Sequence, residues 1–368
     1  MFLTNKLPLV PILAIFAVTV KNTNAYVATN PITYLRPSTT QVDLPSRSSK
    51  TVTLKVSKLS FTPSQKTSEI GKVKASITKI GMMAYIASMC IALPVTLFPI
   101  SILHKARVIS KTRKEKTSLL TGQFCSRWLM RIIPFAKVHV LKEDEDCHDG
   151  DSKALADVPA IWVCNHTSML DIFVLLATDK KLRGKKKRPI KIIYWKELEK
   201  NPVTGLLFKM CGFFPVEMED NGNGQANQYK KSSFKKLLRG IKEAFEEGFD
   251  IGILPEGQLN PCPEQGLQPV FPGAYTLAKI SKRPIRMMGL HGLHKLWHGD
   301  ENIGMTVTGR QVKVRAYPFG RKFENADEFV ESFESVVGHF GAKGEDHPEW
   351  KQMLLNVETG TKAEEATM

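Results

Sequence analysis

The chain has 368 residues, a formal net charge of +16 and a sequence pI near 9.5. Its 42% hydrophobic and 24% charged residues are not extreme for a globular protein, and the excess of Lys and Arg predicts an anionic partner such as a membrane surface, a nucleic acid or a phosphorylated substrate. Its six cysteines form no CxxC pair, which argues against a disulfide scaffold and a cysteine zinc site and favours a reducing compartment.

The first 70 residues have the composition of a two-part sorting signal. Lys6 precedes an apolar run from Leu7 to Val20, and small or polar residues follow as far as Ala25, so residues 1–25 have the layout of a signal peptide. Residues 26–70 are rich in Ser and Thr with only two acidic residues, which predicts a disordered, transit-peptide-like segment. The junction resembles the plastid address of diatoms and related algae. We therefore expect a plastid location, with a signal anchor at the endoplasmic reticulum membrane as the alternative.

Residues 71–118 predict a membrane-associated helical segment. Ile80–Leu103 is a run of 24 residues without a formal charge, and basic residues flank it on both sides. This length is sufficient to cross a hydrocarbon core of about 30 Å. Pro94 and Pro99 would kink a single helix, so a re-entrant or interfacial helix pair stays open, as does a buried core helix.

Residues 119–346 are expected to form one α/β domain, with a mixed, mainly parallel sheet flanked by helices. Short β-rich runs alternate there with helical stretches such as Ile172–Thr178 and Tyr229–Glu247. The polar residues 347–368 predict a loosely ordered C-terminal tail. The seven β-rich runs are Val138–Leu141, Ala160–Cys164, Ile190–Tyr194, Phe213–Val216, Asp250–Leu254, Ile285–Gly289 and Val312–Ala316.

A histidine and a carboxylate lie at the first predicted strand-to-helix turn of this domain, in the sequence Asn165-His166-Thr167-Ser168-Met169-Leu170-Asp171. On one continuous helix, side chains five residues apart would point roughly 140° away from each other. If the helix begins after His166, Asp171 can reach back to one imidazole nitrogen and leave the other for a substrate hydroxyl. The competing interpretation is a capping box, in which Asp171 binds only a backbone N–H.

Further motifs follow in a fixed order between about residues 160 and 290. They are Lys196-Glu197-Leu198 with Pro202, Gly205 and Gly212, then Pro255-Glu256-Gly257, then Gly273-Ala274, and finally Arg283-Pro284-Ile285. The ordered set resembles the glycerolipid acyltransferase family that contains the 1-acylglycerol-3-phosphate acyltransferases. The resemblance implies transfer of a fatty acyl group from acyl-CoA or acyl-carrier protein to the sn-2 hydroxyl of 1-acylglycerol-3-phosphate, forming phosphatidic acid at a lipid bilayer. It implies no cofactor besides the acyl donor, which is a co-substrate.

The resemblance also implies roles for individual residues. His166 would be the catalytic general base and Asp171 its orienting acid. Where the family commonly has Thr-Arg-Ser after Glu-Gly this chain has Gln258-Leu259-Asn260, and Met218 stands in place of a second Arg. Both arginines are associated with gripping phosphate, so the acceptor stays open between lysophosphatidate and another lysophospholipid or lysoglycolipid. The expected substrate-binding residues are Asn165, Lys196, Glu256, Gly257, Gly273, Lys279 and Arg283.

Other features leave alternatives open. The basic run Lys180–Arg188 could contact acyl-carrier protein, coenzyme phosphates or anionic lipid, or be solvated. Nucleic-acid binding is disfavoured because only Tyr194 and Trp195 supply aromatic rings nearby. His291, His294 and His298 would line one helix face and could bind zinc as in a metal-dependent hydrolase, although no metal is expected from the resemblance. A basic membrane-binding protein without activity is the non-enzymatic alternative.

Overall fold

A computed structural model describes residues 72–132, 137–141, 158–184, 187–219, 228–229, 231–297 and 311–355. The predicted signal peptide and transit-like segment lie outside these residues. Two long helices come first, α1 (Lys72–Lys105) and α2 (Lys111–Ile132). The other elements are β1 (Lys137–Leu141), β2 (Ile161–Cys164), α3 (Asp171–Leu182), β3 (Ile190–Trp195), α4 (Pro202–Cys211), β4 (Phe214–Val216), β5 (Met218–Glu219), β6 (Gln228–Tyr229), α5 (Lys231–Glu246), β7 (Asp250–Ile253), α6 (Gly273–Ser281), β8 (Ile285–His291), β9 (Gln311–Arg321), α7 (Ala326–Phe333), α8 (His339–Lys343) and α9 (Trp350–Leu354).

Seven strands form one sheet in the order β1-β9-β8-β2-β7-β3-β4. The five strands from β8 to β4 are parallel, whereas β9 pairs antiparallel to β8 and β1 pairs parallel to β9. The predicted mixed, mainly parallel sheet is confirmed, and each of the seven β-rich runs overlaps one of its strands. Because five strands share one direction, their carboxyl ends meet at a single edge, where ligands bind in open α/β sheets.

Alternate residues of the central strand β2 enter two separate cores. Trp162 and Cys164 face the core shared with α1, α2, α3 and α4, while Ile161 and Val163 face the core shared with α5, α6 and α7. Burial on both faces explains why β2 is a continuous apolar run rather than an alternating one. The molecule therefore has three layers, with the parallel strands in the middle.

The helix α1 is one continuous helix that runs through Pro94 and Pro99, so residues 80–103 do not form a helix pair. Within it, Ala87–Lys105 is long and apolar enough to cross a bilayer, by length and composition only, and 22% of that stretch is buried. The buried-core alternative is wrong for a helix this exposed. Apolar side chains that face outward on α1 and α2 include Ile91, Val95, Phe98, Leu120, Phe124 and Trp128.

Two predicted boundaries are corrected. The boundary between residues 118 and 119 falls inside α2, whose buried residues Glu115, Leu119 and Cys125 pack on the sheet domain. The C-terminal segment holds the short helix α9, in which Trp350 and Leu354 are buried. The ring of Trp350 lies 5.2 Å from that of Tyr317 on β9, so this part of the chain is packed rather than loosely ordered. Apolar residues at i and i+4 were the sequence signal for this packing.

Candidate active site

The strand ends bring the main sequence motifs together at the carboxyl edge of the sheet. His166 follows β2, Lys196 follows β3 and Glu256 follows β7, three strands that are adjacent in the order β2-β7-β3. Neighbouring strands lie about 4.8 Å apart, so the three motifs share a region about 10 Å wide. Motifs that are up to 90 residues apart in sequence thus form one site.

His166 and Asp171 contact each other directly. The Nδ1 atom of His166 lies 2.9 Å from Oδ2 of Asp171, and Asp171 is fully buried while the histidine side chain is 21% exposed. The same Oδ2 accepts the backbone N–H groups of Thr167 at 2.6 Å and Ser168 at 2.9 Å. An ionised carboxylate can only accept hydrogen bonds, so the short contact requires Nδ1 to donate, and we assign the ring proton to Nδ1 and the free lone pair to Nε2. Asp171 therefore performs both predicted tasks, holding the backbone turn and orienting the ring.

Glu256 does not face a substrate, which corrects its predicted binding role. Its carboxylate is fully buried and accepts the backbone N–H of His166 at 2.6 Å and that of Gln268 at 2.8 Å. A third donor is the side-chain amide of Asn260 at 3.2 Å. Burial raises the pKa of Glu256 to about 7, against the opposite effect of the backbone donors. Glu256 thus holds the backbone beside the reactive ring.

Asn165 is a second predicted binding residue that the structure corrects. Its side-chain amide donates to the carbonyl of Leu290 at 2.8 Å and its oxygen accepts the N–H of Leu290 at 2.8 Å. The residue is 1% exposed, so its polar atoms extend the pairing of β2 with β8 and are not presented to a ligand. This bond fixes the start of the His166 turn against the neighbouring strand.

The two predicted glycines lie at the same edge as His166. Gly257 is exposed and has a left-handed φ of 68°, which favours glycine and completes the turn after Glu256. Gly273 begins α6, and this helix start is held near the turn because the N–H of Phe271 donates to the carbonyl of Pro255 at 2.9 Å. Both glycines therefore remain in position to contact a substrate.

Lys196 is a cation at the rim of the site. Its side chain is 51% exposed and forms an ion pair with Glu217, which follows β4 at the same edge; this carboxylate raises the pKa of the lysine. The segment that carries Lys196 packs closely on α4, since a Cβ atom at Gly205 would lie 2.3 Å from the carbonyl oxygen of Glu199. The glycine of this motif is thus explained by backbone contact.

Lys279 and Arg283 lie at the opposite edge of the sheet, so their predicted role in binding the acceptor at His166 is corrected. Arg283 stands two residues before Ile285, which pairs with Ile161 at the start of β2. His166 follows the other end of β2, about 16 Å away for five extended residues at roughly 3.3 Å each. Arg283 stacks instead on the ring of Phe245. The helix α6 begins near His166 at Gly273 and ends at the other edge of the sheet, so Lys279 in its last turn lies away from His166.

A narrow apolar groove runs between α3 and the face of the sheet. One end is formed by Cys164, Ile172 and Leu254, which flank the His166 and Glu256 turns. The other end is formed by Leu182 and Asp179 near the end of α3. The remaining lining side chains are apolar, so the groove suits an alkyl chain better than a polar ligand.

Part of the basic run Lys180–Arg188 is buried in ion pairs inside the protein. The guanidinium of Arg183 donates to Asp179 at 2.6 Å and to Asp250 at 2.7 Å, and its side chain is only 3% exposed. Lys187 also pairs with Asp179, and burial, reinforced by the positive charge of Arg127, lowers the pKa of this lysine to about 8. These two cations therefore face inward, whereas Lys180 and Lys181 are exposed.

The proposed histidine cluster does not share a helix. His291 ends β8 and its Nδ1 lies 2.8 Å from the carbonyl of Gly341, while His294 lies in a short 3-10 turn with Nε2 3.1 Å from Glu264. His298 lies outside the described residues. Among the residues that the structure describes, no group of three His, Cys, Asp or Glu side chains is placed to hold a metal ion, and the five cysteines there are not joined in disulfides.

Comparison with known proteins gives one family match and a few relatives. Residues 146–287 match the family model described as Acyltransferase. The chain is 28% identical over 149 residues to "1-acyl-sn-glycerol-3-phosphate acyltransferase BAT2, chloroplastic" of Brassica napus, and 26% identical over 162 residues to "1-acyl-sn-glycerol-3-phosphate acyltransferase LPAT1, chloroplastic" of Arabidopsis thaliana. These alignments cover 40% and 43% of this chain, and the chain spans only 38% of the length of each relative. Among solved structures, the 1-acyl-sn-glycerophosphate acyltransferase PlsC of Thermotoga maritima is 17% identical, with a TM-score of 0.47 over 73% of this chain and 95% of that one.

Proposed function

Because residues 146–287 match the family model described as Acyltransferase, we propose that the chain is an O-acyltransferase that acylates the sn-2 hydroxyl of 1-acylglycerol-3-phosphate to form phosphatidic acid. The observation that carries this proposal is the His166–Asp171 pair at 2.9 Å, next to one end of an apolar groove. The pair supplies a base for a hydroxyl, and the groove supplies an apolar lining of the kind that an alkyl chain would contact. Acyl-CoA and acyl-carrier protein are the candidate donors.

The proposed reaction needs one proton shuttle. The Nε2 atom of His166 takes the proton of the acceptor hydroxyl while that oxygen bonds to the thioester carbonyl carbon. The tetrahedral intermediate then expels the thiolate, and the proton on His166 passes to the leaving sulfur. Asp171 stabilises the imidazolium formed between the two steps, and it keeps the ring turned with Nε2 outward. No residue of the chain is acylated in this sequence.

The choice of acceptor depends on the cations that lie near His166. Lys196 at the rim is the cation that we propose for an anionic headgroup, since Lys279 and Arg283 lie at the other edge. Leu259 and Met218 stand where arginines are common in the family, and a lysine binds phosphate as a point charge rather than through a planar fork. This observation favours a second candidate, transfer to another lysophospholipid or lysoglycolipid.

We propose that the protein works at a lipid bilayer, in a plastid. The outward-facing apolar side chains of α1 and α2 and the apolar stretch Ala87–Lys105 support membrane association. The printed names of both plant relatives contain the word chloroplastic, and the composition of residues 1–70 agrees with that location. Expression of the full chain with a C-terminal fluorescent label would test the location, and an endoplasmic reticulum pattern would contradict it.

A product assay tests the proposed reaction. The purified full-length chain, in mixed micelles, is offered a labelled acyl group on either donor, together with lysophosphatidate, other lysophospholipids and lysoglycolipids, and products are identified by mass spectrometry. We expect phosphatidic acid as the main product and its loss in His166→Ala. His139→Ala, which changes an exposed histidine on the edge strand β1, is the matched control and should keep full activity. Equal turnover in both variants would contradict the role of His166, and preference for another acceptor would select the second candidate.

A further inference from the structure

The peptide groups on both sides of His166 are held by one neighbouring segment. Glu256 accepts the N–H of His166 at 2.6 Å, and the N–H of Asn260 donates to the carbonyl oxygen of His166 at 2.8 Å. Both partners belong to the turn that follows β7, and both are buried, Glu256 completely and Asn260 at 1% exposure. The backbone that carries the reactive ring is therefore fixed from both directions by a segment 90 residues away in sequence.

The side chain of Asn260 organises this segment. Its amide nitrogen donates to the second oxygen of Glu256 at 3.2 Å and to the carbonyl of Gly266 at 2.7 Å. Its amide oxygen accepts the backbone N–H of Cys262 at 2.9 Å and the side-chain amide of Gln268 at 3.4 Å. Each donor and acceptor of the amide thus has a partner, and one of those partners is the carboxylate that holds His166.

We propose that Asn260 is a positioning residue for His166: it fixes Glu256 and its own backbone N–H so that the imidazole stays on Asp171 with Nε2 turned outward. The inference rests on the proposed function, and Asn260 itself touches no reacting atom. The residue type is specific, because Asn alone among small side chains offers two donors and an acceptor at one point. Aspartate would set a second carboxylate against Glu256, and serine is too short to make all four contacts.

The structural context separates this role from ordinary loop stability. A residue that only closes the loop from Asn260 to Gln268 would affect unfolding and leave the His166 ring unchanged. A positioning residue must alter the ring and the chemical step, since small displacements of a reacting group can lower the rate about 100-fold. The ring proton shared with Asp171 reports this position directly and does not need turnover.

The test compares Asn260→Ala and Asn260→Asp with Asn325→Ala in the full-length protein. Asn325 is the matched control, because it caps α7 by accepting the N–H of Glu328 at 2.8 Å, and so loses one hydrogen bond away from His166. We expect kcat to fall by about 100-fold in both Asn260 variants, with KM for the acceptor nearly unchanged. We also expect the downfield Nδ1 proton resonance of His166, assigned with isotope-labelled histidine, to broaden or disappear. Asn325→Ala should lower only the melting temperature.

The outcomes remain distinguishable. If kcat and the Nδ1 resonance of both Asn260 variants match the wild type, the positioning role is overturned. If the wild type transfers no acyl group to any acceptor, the proposed function fails, while the resonance still tests the inference, and an unchanged resonance overturns it. If Asn260→Ala and Asn260→Asp do not fold, Asn260→Ser keeps part of the hydrogen bonding. Serine should then give an intermediate kcat and resonance, and wild-type values for both would overturn the role.

Discussion

The two edges of the parallel sheet both bury carboxylates, but they satisfy them differently. At the carboxyl edge, Asp171 and Glu256 are held by backbone N–H groups and by neutral side chains, and one ring nitrogen beside them faces outward. At the amino edge, Asp179 and Asp250 are held by the guanidinium of Arg183, which is itself 3% exposed. Both arrangements satisfy a buried charge, yet the first includes an imidazole whose second nitrogen faces outward.

This difference separates a reactive site from a structural one. A guanidinium stays protonated and has no acceptor, so Arg183 cannot shuttle a proton. The imidazole of His166 has a free lone pair on Nε2 and can take up a proton there. The amino-edge cluster also includes Trp162, whose ring N–H donates to Asp250 at 3.0 Å, and this contact fixes one wall of the groove. We therefore expect changes at the two edges to separate activity from stability.

The largest expected effect compares Asp171→Asn with Asp250→Asn. Asp171→Asn should lower kcat by about 10⁴-fold, because the amide no longer holds the reactive tautomer, as seen in hydrolytic triads. Asp250→Asn should keep most of the activity of each folded molecule. It should lower the free energy of unfolding by about 3 kcal/mol, because Arg183 loses a buried charged partner. The measurements are acyl-transfer kinetics with lysophosphatidate as acceptor and denaturant unfolding of each variant. A stable, inactive Asp250→Asn protein would contradict the division between the edges.

The next effect is a pH dependence that belongs to Glu256. Burial raises the pKa of this carboxyl from its ordinary value of 4.5 to about 7, and His166, Asp171 and Cys164 are the titratable groups that face it. Its contribution to stability is fully present below pH 4.5 and is lost as pH rises through about 7, because the folded state favours the neutral form. The three-donor arrangement requires the ionised form, so activity should rise over the same range.

The pH–rate profile measures this opposition between activity and stability. Because turnover requires the ionised form of Glu256, log(kcat/KM) should fall below about pH 7, with a steeper slope than in a variant that lacks this carboxyl. Glu256→Gln should be slower and should have the shallower slope on the acid side. An unchanged slope in the variant would show that ionisation of Glu256 does not control the His166 turn.

Motif order and strand pattern were sufficient to predict the sheet and the His166–Asp171 pair, because apolar runs ending in polar turns report where parallel strands meet. The family resemblance is confirmed for the domain by the match over residues 146–287. Burial was harder to predict: Asn165 and Glu256 lie in conspicuous motifs, yet their polar atoms are used by backbone groups brought close only by folding. From the sequence, Asn260 was distinguished only as a departure from the family pattern. Its position three residues after Gly257 could have indicated that it belongs to the same turn as Glu256. The placement of Lys279 and Arg283 required knowing the direction of α6.

A smaller effect is expected where the groove meets the amino edge. Leu182→Trp adds bulk to a half-buried side chain at that end, so the groove should hold a shorter acyl chain. Each methylene that no longer fits costs about 0.8 kcal/mol of burial, roughly a fourfold change in kcat/KM between donors of adjacent length. Competition between donors of different chain length measures the shift. Leu238→Trp, a half-buried position on α5 in the other core, is the matched control and should leave the preference unchanged.

The smallest expected effect concerns the cations of the two edges. Lys196→Ala removes a half-exposed charge at the site rim, so KM for an anionic acceptor should rise by only about fivefold, because exposed ion pairs contribute little. Lys279→Ala removes an exposed charge near the end of α6 and should leave KM unchanged. High salt should weaken the acceptor affinity of the wild type and of Lys279→Ala but have little effect on Lys196→Ala, since salt screens the charge that this variant lacks. An equal rise in KM for both variants would mean that headgroup attraction comes from the overall positive charge of the chain rather than from a cation placed at the carboxyl edge.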